Sequence, residues 1–501
     1  MQVVLGIVGT GLMGRGIAQV AAQAGIDTVL YDSHAGAAEG AHDAVATQLH
    51  RLAEKGKLGA ADAAQALSRL RPVSSLRELS GCGIVVEAIV EDLEAKRETF
   101  RALERIVAAD CVLATNTSSL SVTAIAAACA TQGRIAGLHF FSPVPLMKVV
   151  EVIDAVRTEP WVIERLMELA RALGHTAVRA RDTPGFLVNH AGRGYGTEAL
   201  RILSEGVAEF PAIDAVLRDG AGFRMGPFEL FDLTGLDVSQ PVMDSIYHQF
   251  HEEPRFRPTP LLAQRRLAGL LGRKSGAGFY RYVEGARQPV PAAPAPVERP
   301  ARVWVSRREG EAHERVTALV GRLGAALDTG QAPAPDALCV VMPWGQDASS
   351  AAMDEGLDPR RCVALDAWFG LATQRTVMAT PVTSAAMRAA AHGLFASDGV
   401  PVAMIRDCPG FIAPRVVAHI VNIACDIAQQ RIATPEDIDR AVTLGLGYRQ
   451  GPLAMGDALG AARVLGLLAG LQEFYGDPRY RPSPWLTRRA RLGISLATAE
   501  P

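Results

Sequence analysis

The sequence predicts a two-half chain: a doubly wound α/β domain plus an all-α helical domain, then a degenerate α/β segment and a second copy of the helical domain. Three observations lead there. A glycine cluster joins an apolar run to a helical stretch within residues 3–21. Strand-like and helix-like stretches then alternate from that cluster as far as Arg181. Finally, the motifs that lie between Asp182 and Pro227 recur between Asp407 and Pro452 without a gap.

Val3-Val4-Leu5-Gly6-Ile7-Val8 reads as a buried strand, and Ile17-Ala18-Gln19-Val20-Ala21 as a helix. Between them Gly9, Gly11 and Gly14 form G-x-G-x-x-G. The spacing serves a tight turn, close approach of backbone to a pyrophosphate, and close helix–strand packing. Leu12 and Met13, inside the motif, count with the glycines as cofactor-binding positions. The helix that starts here aims its free N–H groups at phosphate. A second strand, Asp27–Asp32, ends in an acid. The separation of Asp32 from Gly9 is close to the one at which a carboxylate binds a ribose 2′-hydroxyl and repels a 2′-phosphate, so NAD is expected rather than NADP. Together these features make the first domain Rossmann-type.

Residues 37–70 follow as a long helical stretch, expected to project as a hairpin. Ile84–Val90 is a buried strand, and Glu91-Asp92 should cap a charged helix to about Val107. Cys111–Thr115 is a strand ending at Asn116-Thr117-Ser118-Ser119. Arg134–Phe141 and Met147–Val152 complete the pattern of a doubly wound sheet. From Asp182-Thr183-Pro184-Gly185-Phe186 the character changes, and residues 183–284 read as mostly helical. Five prolines between Pro289 and Pro300 mark a Pro/Ala linker at 285–300.

The repeat then begins. Asp182-x-Pro184-Gly185-Phe186 returns as Asp407-x-Pro409-Gly410-Phe411, Ile213-Asp214 as Ile438-Asp439, and Gly226-Pro227 as Gly451-Pro452. This makes 407–501 a second helical domain. Residues 301–406 again alternate strand and helix, but Ser306-Arg307-Arg308-Glu309-Gly310 stands where a glycine loop would be. That segment is not expected to bind a dinucleotide.

Composition narrows the function. With 501 residues, 49% hydrophobic and 21% charged, the chain has material for several globular domains. A net charge of −2 gives no broad footprint for nucleic acid. The seven cysteines are scattered and never spaced C-x-x-C, so neither a disulfide framework nor a zinc site is indicated. The N-terminal run enters the first strand directly, and no apolar run is long enough to span a membrane, so a cytoplasmic location is expected.

Oxidising an alcohol with NAD requires a base, a partner that orients the base, and donors for the oxygen that becomes a carbonyl. His139, at the end of its strand, is the candidate base, histidine being the side chain best suited to exchange a proton reversibly near neutral pH. Glu151, in the next strand, is a candidate partner; Ser118, Asn116 and Asn189 are candidate donors. The residues alone also leave open a structural histidine and a surface acid.

The ordered motifs Asn116–Leu120, Gly137–Pro143, Val150–Val152, Asp182–Asn189 and Met225–Leu230 are similar to those of L-3-hydroxyacyl-CoA dehydrogenases. The resemblance covers residues 1–282 nearly without break. The two-half length resembles bacterial members acting on 3-hydroxybutyryl- and 3-hydroxyadipyl-CoA. It implies NAD-dependent, reversible oxidation of (3S)-3-hydroxyacyl-CoA in fatty-acid or aromatic-acid breakdown. It implies His139 as base, Glu151 as its partner, and Ser118 and Asn189 on the substrate oxygen. Asp32, Glu91, Lys96, Asn116, Ser118, Ser142 and Lys274 match positions that contact NAD, and Lys55 one that contacts CoA. The hairpin 37–70 resembles the family's clasp over CoA. Ser142 stands where many short members have Asn, and Gln48 where a CoA-contacting Ser is usual. In the second half Asp366 falls opposite His139 and Pro414 opposite Asn189, so that copy is expected to have lost its chemistry. Two rivals remain: a crystallin-like NAD-binding structural protein, and a dehydrogenase of free hydroxy or sugar acids. The repeated helical domains are expected to pack on each other as an intrachain pseudo-dimer, leaving a monomer or weak homo-oligomer.

Overall fold

The computed structural model describes residues 3–291 and 294–500. Ala292 and Ala293, in the middle of the expected linker, and Pro501, the last residue of the expected second helical domain, lie outside the described residues. The chain forms two compact units, one of residues 1–190 with 430–447, the other of 191–429 with 448–500.

The first unit is built on an eight-stranded sheet. Its elements run β1 (Leu5–Val8), α1 (Leu12–Gln23), β2 (Thr28–Tyr31), α2 (Ala37–Glu54), α3 (Ala60–Leu67) and β3 (Leu70–Val73). Then come β4 (Ile84–Glu87), α4 (Leu93–Glu104), β5 (Val112–Thr115), α5 (Val122–Ala126) and β6 (Ile135–Phe140). β7 (Val149–Asp154), α6 (Pro160–Ala172), β8 (Thr176–Arg181) and the short α7 (Val188–Ala191) complete the series. The strand order is β3-β2-β1-β4-β5-β6-β7-β8. All neighbours are parallel except β6 and β7, which pair antiparallel with His139 facing Glu151. The central strands β1, β4 and β5 are buried at every position. Continuous apolar runs of this kind are what a sheet covered on both faces requires.

Two elements depart from the sequence reading. The stretch 37–70 is a hairpin of α2 and α3 joined by a turn at 55–59, but it ends at Leu67, because Leu70–Val73 forms the edge strand β3. Pro72 had masked that strand; proline fits an edge, where its missing N–H leaves no gap in the ladder. The helix at 93 is capped by Asp92 alone, whose carboxylate accepts from Ala95 N at 2.8 Å. Glu91 is used elsewhere.

The same unit contains the helix Pro435–Leu446, which packs on β7 and β8. Arg181 N donates to Ile432 O at 2.9 Å, and Arg179 N to the Asp437 carboxylate at 3.3 Å. A side chain at Gly445 would lie 2.9 Å from Val188, so only glycine permits this approach.

The second unit holds the helices Arg193–Ser204, Phe210–Ala215, Pro227–Thr234, Leu236–Gln249 and Pro260–Leu267. A two-stranded hairpin, Tyr282–Val283 with Ala286–Arg287, takes up the start of the expected linker. A six-stranded sheet follows, in the order Leu327–Asp328, Val303–Val305, Leu338–Val341, Cys362–Leu365, Arg375–Ala379, Val402–Arg406. One antiparallel step, Cys362–Leu365 against Arg375–Ala379, again interrupts parallel pairing.

The helices Ala413–Gln429, Pro452–Leu459, Ala461–Tyr475 and Pro484–Leu492 close the second unit. Ala413–Gln429 is buried from Ala413 through Ala428, the mark of a helix packed on all sides. It lies against Arg193–Ser204. There Arg415 Nε meets the fully buried Glu198 carboxylate at 2.6 Å, and its Nη1 meets Glu205 at 2.8 Å. The Tyr475 and Tyr480 hydroxyls complete the guanidinium's partners at 2.9 and 2.8 Å. Such a pair is held by its hydrogen bonds as much as by charge, since desolvating two ions is costly. No single helix among the described residues is long and apolar enough to cross a membrane.

Candidate functional site

The carboxyl ends of the parallel strands of the first unit carry the candidate site, where ligands sit in open α/β sheets. The glycine loop leaves β1 here. Gly9 has φ +92°, and a Cβ there would lie 2.7 Å from Ala88 O. At Gly14 a Cβ would strike Gly9 O, whereas Gly11 faces open space. Two glycines therefore set the loop and the helix packing, and the third leaves backbone free for a ligand to approach. Asp32 ends β2 beside them. Its carboxylate accepts from Thr10 N at 2.7 Å, Thr10 Oγ1 at 2.9 Å and His34 N at 3.0 Å. Burial works against its charge, but the His34 and Thr10 N–H groups outweigh that and hold its pKa below the ordinary value. A cavity of about 660 Å³ lies over Gly9, Gly11, Asp32 and Ala88–Val90. These residues fit a dinucleotide: a glycine loop open at Gly11, and an anionic hydrogen-bond acceptor for a ribose.

A second cavity, of about 330 Å³, shares Ala88 and Ile89 with the first. It is lined by Met13, Glu91, Lys96, Asn116, Ser118, His139, Ser142 and Asn189. His139 Nδ1 is 2.6 Å from Glu151 Oε2, with both side chains buried. The other carboxylate oxygen, Oε1, accepts from Leu187 N at 3.0 Å and Val188 N at 2.7 Å. Glu151 is thus anchored by the turn before α7, where Phe186 adopts φ 49° and its ring lies 5.7 Å from the imidazole. With Nδ1 occupied by a carboxylate, Nε2 is the nitrogen left to exchange a proton in the cavity.

The rest of the lining depends on residues for which the family resemblance implies cofactor contact. Glu91 Oε1 accepts from Thr117 Oγ1 at 2.7 Å, Ser118 N at 2.8 Å, Ser119 N at 3.0 Å and Ser118 Oγ at 3.2 Å. It holds the turn that presents Ser118. Burial opposes its charge, and the Thr117 hydroxyl and Lys96 overcome this to lower its pKa. Lys96 Nζ, almost wholly buried, is 2.6 Å from Glu87 and 3.3 Å from Glu91. Asn116 Oδ1 accepts from Phe140 N at 2.9 Å, tying β5 to the end of β6.

Eleven of the expected site residues therefore meet on one edge: Gly9, Gly11, Met13, Asp32, Glu91, Lys96, Asn116, Ser118, His139, Ser142 and Asn189. Asn189 belongs to the first unit, as the other residues lining this cavity do. Leu12 and Gly14 sit at the start of α1, and Met13 lines the second cavity. Lys55 lies exposed at the end of α2, outside both cavities. Lys274 is in the second unit, 2.7 Å from an oxygen of Asp237. Sequence reasoning missed Glu87, which also accepts from Thr115 Oγ1 at 2.7 Å and Ile89 N at 2.7 Å. Its signal was an acid ending an otherwise apolar strand, Ile84-Val85-Val86-Glu87.

Residues 4–183 match the NAD binding domain of 3-hydroxyacyl-CoA dehydrogenases, and residues 185–282 and 410–498 match the C-terminal domain. The chain is 38% identical over 486 residues to a 3-hydroxyadipyl-CoA dehydrogenase of Escherichia coli K12, covering 97% of each. It is 39% identical over 282 residues to a human mitochondrial hydroxyacyl-coenzyme A dehydrogenase, covering 55% of this chain and 90% of that one. Among solved structures, a 3-hydroxybutyryl-CoA dehydrogenase from Escherichia coli K12 superimposes with a TM-score of 0.85. Its identity is 37%, over 98% of this chain and 99% of that one.

Proposed function

The chain belongs to the 3-hydroxyacyl-CoA dehydrogenase family, and from that premise we propose which of its residues carry the reaction. The enzyme oxidises (3S)-3-hydroxyacyl-CoA to the 3-oxoacyl-CoA with NAD as cofactor, reversibly. NAD supplies the acceptor for the hydrogen and electron pair that leave the substrate carbon. His139 Nε2 takes the hydroxyl proton. Glu151 keeps the proton of Nδ1 in place and stabilises the imidazolium as it forms. Ser118 and Asn189 hold the oxygen while it becomes a carbonyl. Asn116, Lys96 and Ser142 hold the nicotinamide end, Asp32 the adenosine ribose. Lys55 and Lys274 are assigned CoA and NAD contacts by family position alone.

One observation carries this reading: a buried imidazole–carboxylate pair, at 2.6 Å, opens onto a cavity that also holds Ser118 and Asn189 and adjoins the glycine loop. Retention of the pair argues against a crystallin-like structural protein, and comparison of thioesters with free acids separates a free-acid dehydrogenase. The test is NADH-dependent reduction of 3-oxoacyl-CoA thioesters of graded length, with the matching free 3-oxo acids beside them. Turnover of the thioesters alone is expected; equal use of the free acids would overturn the substrate class. The relative from Escherichia coli points to acyl groups with a terminal carboxylate, as in aromatic-acid breakdown, and fatty-acid breakdown is the alternative. A cytoplasmic location is part of the same proposal.

The second half completes the proposal. We read 301–406 as a degenerate α/β domain and 407–501 as a copy of the first helical domain, paired with it as an intrachain pseudo-dimer. Backbone details support a copy: Gly185 and Phe186 have φ 75° and 49°, and Gly410 and Phe411 have 77° and 52°. Reciprocity supports the pairing. Arg181 N donates to Ile432 O, and Arg406 N donates to Val207 O, each at 2.9 Å. Arg406 and Ile432 are the repeat counterparts of Arg181 and Val207, so the two bonds are mirror images. Asp366 N bonds Thr376 O where His139 faces Glu151, so no dyad stands there. A monomer or weak homo-oligomer is the expected state in solution.

A further inference from the structure

A third cavity, of about 360 Å³, borders the catalytic one at Ser142. One wall is a face of α1: Leu12, Arg15, Gly16 and Gln19. The facing wall is α2 with Ala44, Val45, Gln48 and Leu52, and the turn 142–146 closes the end. The volume falls in the range of small-molecule sites. The cavity lies across Ser142 from His139, whereas the dinucleotide cavity adjoins the catalytic one through Ala88 and Ile89. A substrate leaving the catalytic centre away from the cofactor's ribose end would enter it.

Three features define its chemistry. Leu12 and Leu146, at its rim, are 67% and 74% exposed and give the cavity an apolar mouth. Arg15 is the one charged side chain among the lining residues, and no acid lines the cavity. Among the described residues the Arg15 guanidinium makes no hydrogen bond or ion pair, unlike Arg97, Arg134 and Arg179 of the same unit. A half-buried guanidinium without an anion, between apolar walls, matches an extended chain that carries an anionic group.

We propose that Arg15 binds an anionic group of the acyl-CoA substrate in this cavity and so sets substrate preference. Phosphate of CoA and a terminal carboxylate of the acyl group share the chemistry. The inference rests on the acyl-CoA reading above, and binding measurements keep the two apart.

The test uses the full chain and Arg15→Gln, with Arg15→Lys as the charge-keeping control. Acetoacetyl-CoA, 3-oxoadipyl-CoA and the N-acetylcysteamine thioester of acetoacetate are reduced with NADH. Losing a charge-assisted hydrogen bond should raise KM roughly 10–100-fold, with kcat little changed. If Arg15 meets phosphate, both CoA thioesters lose in Arg15→Gln and the phosphate-free thioester does not. If it meets the carboxylate, 3-oxoadipyl-CoA alone loses. Arg15→Lys should recover part of either loss. Calorimetric binding of the two CoA thioesters should show the same pattern without turnover, so an inactive wild type would overturn the reaction while leaving this contact measurable. Unchanged acyl-CoA binding and KM in Arg15→Gln would refute the proposal, as would a rise confined to the KM for NADH.

Discussion

Glu151→Gln should cripple catalysis, and the geometry gives the reason. The substituted side chain would keep its size and lose its charge. Leu187 N and Val188 N, at 3.0 and 2.7 Å, both donate to Oε1, so the amide oxygen of the variant must face them. Its NH₂ group then faces Nδ1 of His139, where a carboxylate oxygen stood at 2.6 Å. Two donors cannot share that line, so the imidazole is driven to carry its proton on Nε2, the nitrogen needed as base. Losing the charge-assisted bond costs about 1.5–3 kcal/mol, and reversing the tautomer against a buried unmatched donor adds about 1–3 kcal/mol. The sum corresponds to a fall in kcat of roughly 10²–10⁴-fold. The assay is NADH oxidation with acetoacetyl-CoA, together with NADH binding, which should survive because Glu151 lies outside the dinucleotide cavity. A kcat within about threefold of wild type, with binding intact, would refute the orienting role of Glu151.

Asp32→Gly should weaken NAD and improve NADP relative to it, read as the ratio of kcat/KM values; equal use of both cofactors by the unmodified protein would contradict the role of Asp32. Burial pushes the Asp366 carboxyl from 3.8 up to about 7, against the N–H groups of Trp368 and Phe369. A raised folded pKa means the native state holds the extra proton, so this group's contribution falls as pH rises from about 4 to about 7, by at most about 4 kcal/mol. Asp366→Asn should flatten Tm against pH in that window, and an unaltered slope would count against it. Deleting 301–501 removes the helix Pro435–Leu446 from β7 and β8 and uncovers Val149 and Val188 beside Glu151. Light scattering should find aggregates or a new homodimer with reduced activity; a soluble, fully active monomer of residues 1–284 would contradict the docking.

Much of the site was legible because its chemistry is local. The glycine spacing, the acid ending β2 and the histidine at the end of β6 each follow from a strand's carboxyl end being where side chains meet ligands. His139 and Glu151 lie on consecutive strands, and the antiparallel turn between them makes them direct cross-strand neighbours. What stayed hidden is long-range. Nothing near Glu91 in sequence says that it will clamp Thr117, Ser118 and Ser119, well beyond the helix α4 that follows it. Glu87 and Lys96 read as an ordinary strand end and an ordinary helix charge until the fold buries them together. The edge strand β3 was obscured by Pro72, and the place of residues 430–447 on the first sheet has no local signal at all.

The buried contact of Arg415 with Glu198 and Glu205 has a further consequence, because both sides of it are carried on one polypeptide. Association between separate copies obeys mass action and fails on dilution. A tethered contact answers instead to a fixed local concentration set by the connecting chain. Specific activity of this enzyme should therefore hold constant down to the lowest protein levels an assay can read. Inheritance changes as well. In a self-paired protein one codon alters both faces of a contact at once, whereas under the proposed duplication Arg415 and the position matching it in the first half, His190, are free to diverge. Under that proposal an arginine that meets two acids stands on one side, and the position related to it by the repeat is under no constraint to follow.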